Sequence, residues 1–182
     1  MPPTITIEQL LERNKAVSHE PLPYIDELRE AGSPGPSMMI VTCLDPRCVP
    51  ETFFNLAAGE VLVQRNAGGN IRTAIRDINV LDTLFNSLQE ICIVHHTDCG
   101  TTHVTDDAVR AHIREYTPRE NWPEVDGFDI WSNTDIEASV KGDLEWVRTT
   151  PFIREGLKKR TQGFVFDIKT GLVTKVEPDV PL

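Results

Sequence analysis

Short apolar runs and longer periodic segments alternate along most of this chain. The runs at 38–43, 61–65 and 91–95 have the length and continuity of buried strands. Between the last two lies 73–88, where apolar residues recur every three or four positions, as on the inward face of an amphipathic helix. These positions are Ile75, Ile78, Leu81, Phe85 and Leu88. The alternation predicts an α/β fold with a mainly parallel central β-sheet flanked by helices.

Two further helices are predicted in the second half of the chain. One spans 101–116 and is followed by 117–133, a stretch rich in Pro, Trp, Gly and Asp that predicts an irregular excursion. The other begins at Thr134, which has capping-box spacing to Glu137. Its inward positions are Ile136, Val140, Leu144 and Val147. The acidic and basic residues between these positions are expected to form the solvent-exposed face.

The two ends of the chain complete the predicted architecture. Residues 164–168 and 172–176 flank a glycine-bearing turn, which predicts a hairpin whose last strand is an antiparallel edge of the sheet. Residues 1–35 contain two short helical patterns, 7–15 and 22–31, and end in a breaker rich in Gly and Pro. They predict an N-terminal helical arm that packs either on a partner subunit or, as a helical cap, on the same subunit. Residues 36–182 then form a single α/β domain.

Composition narrows the class of protein. With 182 residues, 40% of them hydrophobic and 25% charged, the chain matches a globular domain with a core of ordinary size. A net charge of −10 argues against nucleic acid and anionic membranes as partners. No apolar run reaches the length of a membrane span, and the N-terminus lacks the pattern of a signal peptide, so a cytoplasmic location is expected. In that compartment cysteines suggest metal binding or catalysis before disulfides.

Candidate chemistry begins where the first strand ends. Cys43 closes the apolar run at 38–43, Asp45 and Arg47 follow it, and Pro46 prevents a simple continuation of the strand. A cysteine thiolate is both a nucleophile and a metal ligand. An arginine two residues from an aspartate can hold that aspartate ionised.

A second group of candidate ligands follows the strand at 91–95. His96 and Cys99 come after it, and the carboxyl ends of parallel strands are where sites gather in open α/β sheets. Together with Cys43 they form a sulfur and nitrogen set that suits zinc, and three protein ligands leave a fourth position open. The alternative for each cysteine, a small buried hydrophobic residue, stays open on spacing alone.

Other residues of these types are expected to have structural roles. Cys92 lies inside a strand and is interpreted as a core residue, whereas Cys48 is ambiguous. His95 precedes the candidate ligand and is interpreted as a packing or supporting histidine. His103, early in the following helix, is a weaker candidate for proton transfer.

A glycine-rich loop follows the second strand. Asn66, Ala67, Gly68 and Gly69 would let the backbone approach a ligand closely, or they form a tight turn from strand to helix. The loop matches neither G-x-G-x-x-G nor a lysine-bearing phosphate loop, so phosphate binding is the weaker interpretation.

Taken together, the motifs resemble those of the β-class carbonic anhydrases, in particular their short archaeal and bacterial branch. The similarity covers roughly residues 36–177. The motifs are Cys43-x-Asp45-x-Arg47, His96-x-x-Cys99-Gly100 and, between them, Val63-Gln64-Arg65-Asn66-Ala67-Gly68-Gly69. Pro46 departs from the pattern, because a small residue is more usual at that position.

The resemblance implies a zinc enzyme in which metal-bound hydroxide attacks a small linear molecule such as carbon dioxide. It implies zinc on Cys43, His96 and Cys99, and Asp45 with Arg47 as a catalytic dyad. It also implies a homodimer or higher homo-oligomer. The expected reaction is hydration of carbon dioxide to bicarbonate, with a substrate pocket that includes Asn66, Ala67, Gly68 and Gly69.

The branch also contains enzymes that hydrolyse carbonyl sulfide or carbon disulfide, so the substrate stays open. Carbonyl sulfide hydrolysis to hydrogen sulfide and carbon dioxide at the same site is the alternative. A non-catalytic zinc scaffold is a further hypothesis, against which the intact pair of Asp45 and Arg47 argues, since a structural zinc site more often has four protein ligands.

Overall fold

The computed structural model describes residues 5–17 and 21–180, and it divides after Ser33 into a small N-terminal unit and a larger unit. The N-terminal unit contains helices α1 (Ile7–Ala16) and α2 (Ile25–Glu30). Thr6 caps α1, because its hydroxyl accepts from the backbone N–H of Gln9 and the Gln9 side chain returns to the backbone of Thr6. Neither helix has a buried residue.

The larger unit is built on one five-stranded sheet in the order β2-β1-β3-β4-β5. The first four strands in this order are parallel, and β5 pairs antiparallel with β4 at the edge. This arrangement confirms the predicted α/β class with a mainly parallel sheet and an antiparallel edge strand. The strands are β1 (Met38–Cys43), β2 (Leu62–Asn66), β3 (Glu90–His96), β4 (Thr161–Phe166) and β5 (Val173–Val176).

Helices connect and cover these strands. Short 3₁₀ turns also occur at Ala67–Gly69, Gly100–Thr102 and Arg119–Asn121. The helices are α3 (Pro50–Phe53), α4 (Ile71–Phe85), α5 (Asp106–Arg114), α6 (Trp122–Asp126), α7 (Ile136–Thr149) and α8 (Glu155–Lys158). Among the described residues, no helix has both the length and the apolar character that a bilayer span requires.

The core lies on both faces of the sheet. Val41 and Ile93, which are fully buried, belong to the cluster formed with α4 and α7. Ile40 and Val94 face the opposite way and pack with Phe166 in a second cluster. Because both faces of β1 and β3 are covered, these central strands are apolar at nearly every position, as the sequence predicted. The second cluster also contains Cys43 and Cys99, so these two candidate ligands pack against the hydrophobic core.

Several predicted boundaries were wrong. Helix α4 spans Ile71–Phe85 rather than 73–88, and α5 begins at Asp106, where Thr105 caps it, rather than at 101. The stretch 117–133 is not wholly irregular, because it contains α6. The cap of α7 is Asp135, whose carboxylate accepts from the backbone N–H of Ala138, and not Thr134.

Two further corrections concern the pairing of α7 with β4. Strand β4 spans Thr161–Phe166 rather than 164–168. The pattern missed its first residues because they are not strongly apolar. Gly163 among them leaves room for α7, since a Cβ there would lie 2.4 Å from Val140 Cγ1. Asp143, expected on the solvent-exposed face of α7, is instead fully buried.

Candidate metal centre

The three candidate ligands come together at the carboxyl end of the sheet. Cys43 is the last residue of β1, His96 is the last residue of β3, and Cys99 lies in the turn that follows. All three are buried, and their ligand atoms lie within 4.8 Å of one another. The described residues thus bring three possible metal ligands together at this point of the sheet.

His96 presents an unpaired nitrogen to this group. Its Nδ1 lies 2.9 Å from the carbonyl oxygen of Thr97, which can only accept, so Nδ1 carries the proton. Nε2 then bears a free lone pair, and it is buried without a hydrogen-bond partner. A buried acceptor next to two cysteine sulfurs fits a metal ion, because a partner group in the protein would otherwise be required.

The two cysteines share a proton in this arrangement. Their Sγ atoms lie 3.7 Å apart, and the hydrogen bond between them lowers the pKa of Cys99 well below that of a free thiol. The same hydrogen bond, followed by burial, raises the pKa of Cys43. Cys43 is therefore a poor free nucleophile, since the thiolate is the reactive form. A divalent cation would take the place of the shared proton and hold both sulfurs as thiolates.

An ionised carboxylate stands beside the ligands. Arg47 holds Asp45 in a fork, with Nε 2.9 Å from Oδ1 and Nη2 2.7 Å from Oδ2. The backbone N–H of Arg47 donates to the same Oδ1 at 2.8 Å. These bonds hold the pKa of the Asp45 carboxyl well below its usual range. Asp45 Oδ2 lies 3.9 Å from Nε2 of His96, so the carboxylate borders the ligand group.

The outer side of Arg47 bonds to Asp98, in the turn that follows β3. Its Nη1 lies 2.8 Å from Asp98 Oδ2, and its Nη2 donates to the Asp98 carbonyl at 2.9 Å. The backbone of Asp98 has a φ of 56°, in the left-handed region that non-glycine residues seldom adopt. His103 lies 3.1 Å from the other oxygen of Asp98, but its side chain is 66% exposed. It therefore contacts Asp98 at the surface rather than the ligands.

Arg65 holds the turn that carries Cys43 and Asp45. Its guanidinium donates to three carbonyl oxygens, those of Cys43 at 2.9 Å, Asp45 at 2.7 Å and Cys48 at 3.0 Å. Carbonyl groups that leave the end of a strand need such donors, because no neighbouring strand pairs with them. In the sequence Arg65 was identified only as part of a motif, and its hydrogen bonds to the backbone of this turn were not predicted.

The glycine-rich loop lies directly behind the first ligand. Gly68 and Gly69 both have positive φ, 81° and 73°, and a Cβ at Gly69 would lie 3.2 Å from the backbone nitrogen of Cys43. Asn66 closes the loop by bonding to both the N–H and the carbonyl of Asn70. The close approach seen in the structure is thus to protein, and contact of Asn66–Gly69 with substrate stays a prediction.

A buried ionic network supports the glycine loop from the opposite side. Asp143 accepts from Arg72 Nη1 at 2.7 Å and from the backbone N–H of Ile71 at 3.0 Å. Nε2 of His95 lies 3.2 Å from both Asp143 Oδ2 and the Gly69 carbonyl. His95 thus has the supporting role predicted for it, whereas the parts of Asp143 and Arg72 were missed.

The remaining cysteines lie outside the ligand group. Cys48 is buried with its sulfur 3.3 Å from the hydroxyl of Thr42, and burial raises its pKa. Cys92 is half-buried inside β3, where burial raises its pKa to about 12. In both cases burial favours the protonated thiol at neutral pH, which agrees with the core role predicted for Cys92. Cys48, which the sequence left ambiguous, is not a member of the candidate ligand group.

Three buried soft donors at the carboxyl end of a mainly parallel sheet, with a carboxylate fixed beside them, define a class of metal-dependent α/β enzymes. The comparison with known families makes the assignment specific. Residues 38–173 match the family model described as carbonic anhydrase, and the chain belongs to the β-carbonic anhydrase family. It is an enzyme of the type that includes these anhydrases and the related hydrolases.

Individual relatives point to the same family. The chain is 33% identical to β-carbonic anhydrase 1 of Mycobacterium tuberculosis over 148 residues, which cover 80% of this chain and 85% of the relative. It is 28% identical over 159 residues to the carbon disulfide hydrolase of an Acidianus species, with 76% of each chain covered. The crystal structure of a carbonic anhydrase from Streptococcus mutans superposes with a TM-score of 0.73 at 25% identity, covering 96% of this chain and 100% of that one.

Proposed function

We propose that this protein is a zinc enzyme that hydrates carbon dioxide to bicarbonate. The observation that carries the proposal is the buried group of Cys43, His96 and Cys99 with the ionised Asp45 fixed at its edge. Membership of the carbonic anhydrase family supports the reaction. A non-catalytic zinc scaffold is disfavoured, since three donors plus a fixed carboxylate are typical of catalytic rather than structural zinc sites.

Zinc is the ion that suits this donor set best. Two sulfurs and one imidazole nitrogen form a borderline-soft set, and Nε2 of His96 has no other partner. When bound, zinc supplies a Lewis acid that activates water as a nucleophile. The carbonyl of Thr97 fixes the tautomer of His96, so that Nε2 stays available as a ligand.

Asp45 would act as the acceptor that orients the attacking water. Because Arg47 keeps Asp45 ionised, the carboxylate can accept a hydrogen bond but cannot donate one. A water with its proton directed at Asp45 has a lone pair free for the carbon of the substrate. The fork of Arg47 also keeps both carboxylate oxygens engaged, which hinders Asp45 from moving onto the metal.

The overall reaction is balanced without a further cofactor. A carbon–oxygen bond forms between water and carbon dioxide, one carbon–oxygen π bond breaks, and one proton leaves to solvent. We propose that the loop residues Asn66, Ala67, Gly68 and Gly69 border the space that the linear substrate occupies.

Carbonyl sulfide hydrolysis is the second candidate function. Similarity to the Acidianus carbon disulfide hydrolase favours it, because a linear sulfur analogue of carbon dioxide undergoes the same attack at carbon. Water adds to carbonyl sulfide, and the thiocarbonate collapses to carbon dioxide and hydrogen sulfide. The ligands and the pair of Asp45 and Arg47 would serve both substrates.

One experiment separates the two candidates. Zinc-loaded protein is assayed side by side for hydration of carbon dioxide and for release of hydrogen sulfide from carbonyl sulfide. We expect the first activity to dominate, and both to fall together in Asp45→Asn. Hydrogen sulfide release without hydration of carbon dioxide would replace the proposal by the alternative, and the absence of both activities would reject it.

We further propose that the protein acts as a homodimer or a higher homo-oligomer in the cytoplasm. Apolar residues of α1 support the first part: the exposed fractions of Ile7, Leu10 and Leu11 are 72%, 51% and 58%. Apolar surface of this kind on one helix is typical of a segment that is covered by a partner. Residues 1–35 would then form the arm that lies on the second subunit.

A further inference from the structure

Thr101 contacts one of the proposed zinc ligands from outside. It lies in the 3₁₀ turn directly after Cys99, with its Oγ1 3.1 Å from the Cys99 sulfur. Its methyl group packs over Gly68, where a Cβ would come within 3.2 Å of Thr101 Cγ2. This contact fixes the side chain in the orientation that directs the hydroxyl at the sulfur.

A second residue determines the direction of this hydrogen bond. Nδ2 of Asn133 donates to Thr101 Oγ1 at 3.3 Å. The hydroxyl of a threonine has a single proton, and an oxygen that accepts from an amide keeps this proton for another acceptor. The acceptor within reach is the Cys99 sulfur, so the chain of donors runs from Asn133 through Thr101 to Cys99.

We propose that Thr101, oriented by Asn133, is a positioning residue that withdraws charge from the Cys99 thiolate and makes the bound metal a stronger Lewis acid. The inference rests on the proposed zinc site. Two thiolates and a neutral imidazole bring the formal charge of the ion and its ligands to zero, which weakens a zinc ion as an acid. A hydrogen bond to a thiolate reduces the electron density that the sulfur donates, and so it opposes this weakening.

Variants of Thr101 test the inference without relying on turnover when cobalt(II) is used as a spectroscopic probe in the place of zinc. Cobalt(II) replaces zinc in the purified protein, and the thiolate-to-cobalt charge-transfer band is recorded. Thr101→Val keeps the shape and the methyl contact but has no hydroxyl, so the band should move to longer wavelength as the sulfur becomes a stronger donor. Thr101→Ser keeps the hydroxyl and should return the band to the position of the unmodified protein.

Asn133→Asp is the sharper variant, because a carboxylate accepts the hydroxyl proton of Thr101 and withdraws it from Cys99. It should shift the band in the same direction as Thr101→Val while leaving Thr101 intact. Circular dichroism of each variant checks the fold. In the zinc form, both variants should have about tenfold lower hydration activity at neutral pH, with the pH midpoint moved upward.

The outcomes separate this inference from the proposal on which it rests. A cobalt band that stays in place in Thr101→Val and Asn133→Asp overturns the inference alone. Absence of any thiolate-to-cobalt band in the unmodified protein overturns the zinc site and the inference with it. A band that shifts as expected in a protein without hydration activity supports the inference and contradicts only the proposed substrate, carbon dioxide.

Discussion

Residue by residue, the site is defined by which groups keep their protons. His96 Nδ1 is committed to the Thr97 carbonyl, Cys99 is the more acidic of the two thiols, and Asp45 is held ionised by Arg47. Each of these states follows from a hydrogen bond in the structure rather than from the residue type. Together they create a site ready for a cation, with a hydrogen-bond acceptor at its edge.

Asp45→Asn tests the role of the carboxylate. The substitution keeps the shape but removes the charge, and an amide in the fork of Arg47 is a weaker acceptor. We expect hydration activity to fall about a hundredfold, with zinc content unchanged. Stopped-flow assays and metal analysis of the same sample measure both. Loss of zinc in this variant would show that Asp45 holds the metal, contrary to the role assigned to it.

The pH dependence of activity follows from the same charges. Because the pKa of Asp45 is lowered, its carboxylate stays ionised throughout the neutral range and does not limit activity there. In the proposed zinc site, two thiolates and a neutral imidazole would leave the ion and its ligands with no net charge. The metal would then be a weaker acid than one bound by three histidines, for which bound water has a pKa of about 7.

Activity should therefore rise as the pH is raised from neutral to alkaline, as measured by initial rates of carbon dioxide hydration in a series of buffers. A profile that is flat from alkaline down to mildly acidic pH would contradict this account of the ligand charge.

At the level of the elements, the sheet places the ligands and α7 supports them from behind. Asp143 of α7 bonds to Arg72 at the start of α4 and to His95 of β3, so a single buried carboxylate ties two helices to the central strand. His95 in turn meets the Gly69 carbonyl of the loop behind Cys43. Removing one member of such a network leaves the others buried without partners, which is destabilising.

The sequence predicted the strand ends that carry the candidate ligands, but it did not predict the residues that hold them in place. Apolar runs that end at Cys43 and just before His96 indicated a site at adjacent strand ends, since parallel strands share their carboxyl edge. Asp143 was misjudged because it sits between apolar helix positions, and its partners are 71 and 48 residues away in the chain. Asn133 was missed for a similar reason, as it lies in a stretch with no periodic pattern.

Packing between α7 and β4 depends on Gly163. A methyl group there would lie 2.4 Å from Val140 Cγ1 and 3.0 Å from Leu144 Cδ1, both in a packed core. Gly163→Ala should lower the free energy of unfolding by about 1–3 kcal/mol. Gly142→Ala is the matched control, since nothing lies within 4 Å of a Cβ at this helical position.

The control should raise the free energy of unfolding by about 0.5–1 kcal/mol, because alanine is favoured over glycine inside a helix. Chemical denaturation of the two variants measures both changes. Equal effects would mean that the close approach of α7 to β4 does not constrain residue 163.

At the scale of the whole molecule, the described residues combine a covered α/β sheet with a group of buried candidate metal ligands at its carboxyl edge. A net charge of −10 argues against nucleic acid as a partner, and it would set no electrostatic barrier to the proposed neutral substrate, carbon dioxide. The family assignment, the fold and the donor set are consistent with the proposed enzyme, whose activity would depend on an ion held by Cys43, His96 and Cys99.

The most direct test is a zinc titration of the metal-free protein, followed by the rate of carbon dioxide hydration. We predict that activity rises in proportion to added zinc and stops rising at about one ion per chain, as three protein ligands at a single site require. Cys43→Ser, which removes one thiolate, should show no such rise. Hydration activity that is independent of zinc, or that Cys43→Ser retains in full, would contradict the account.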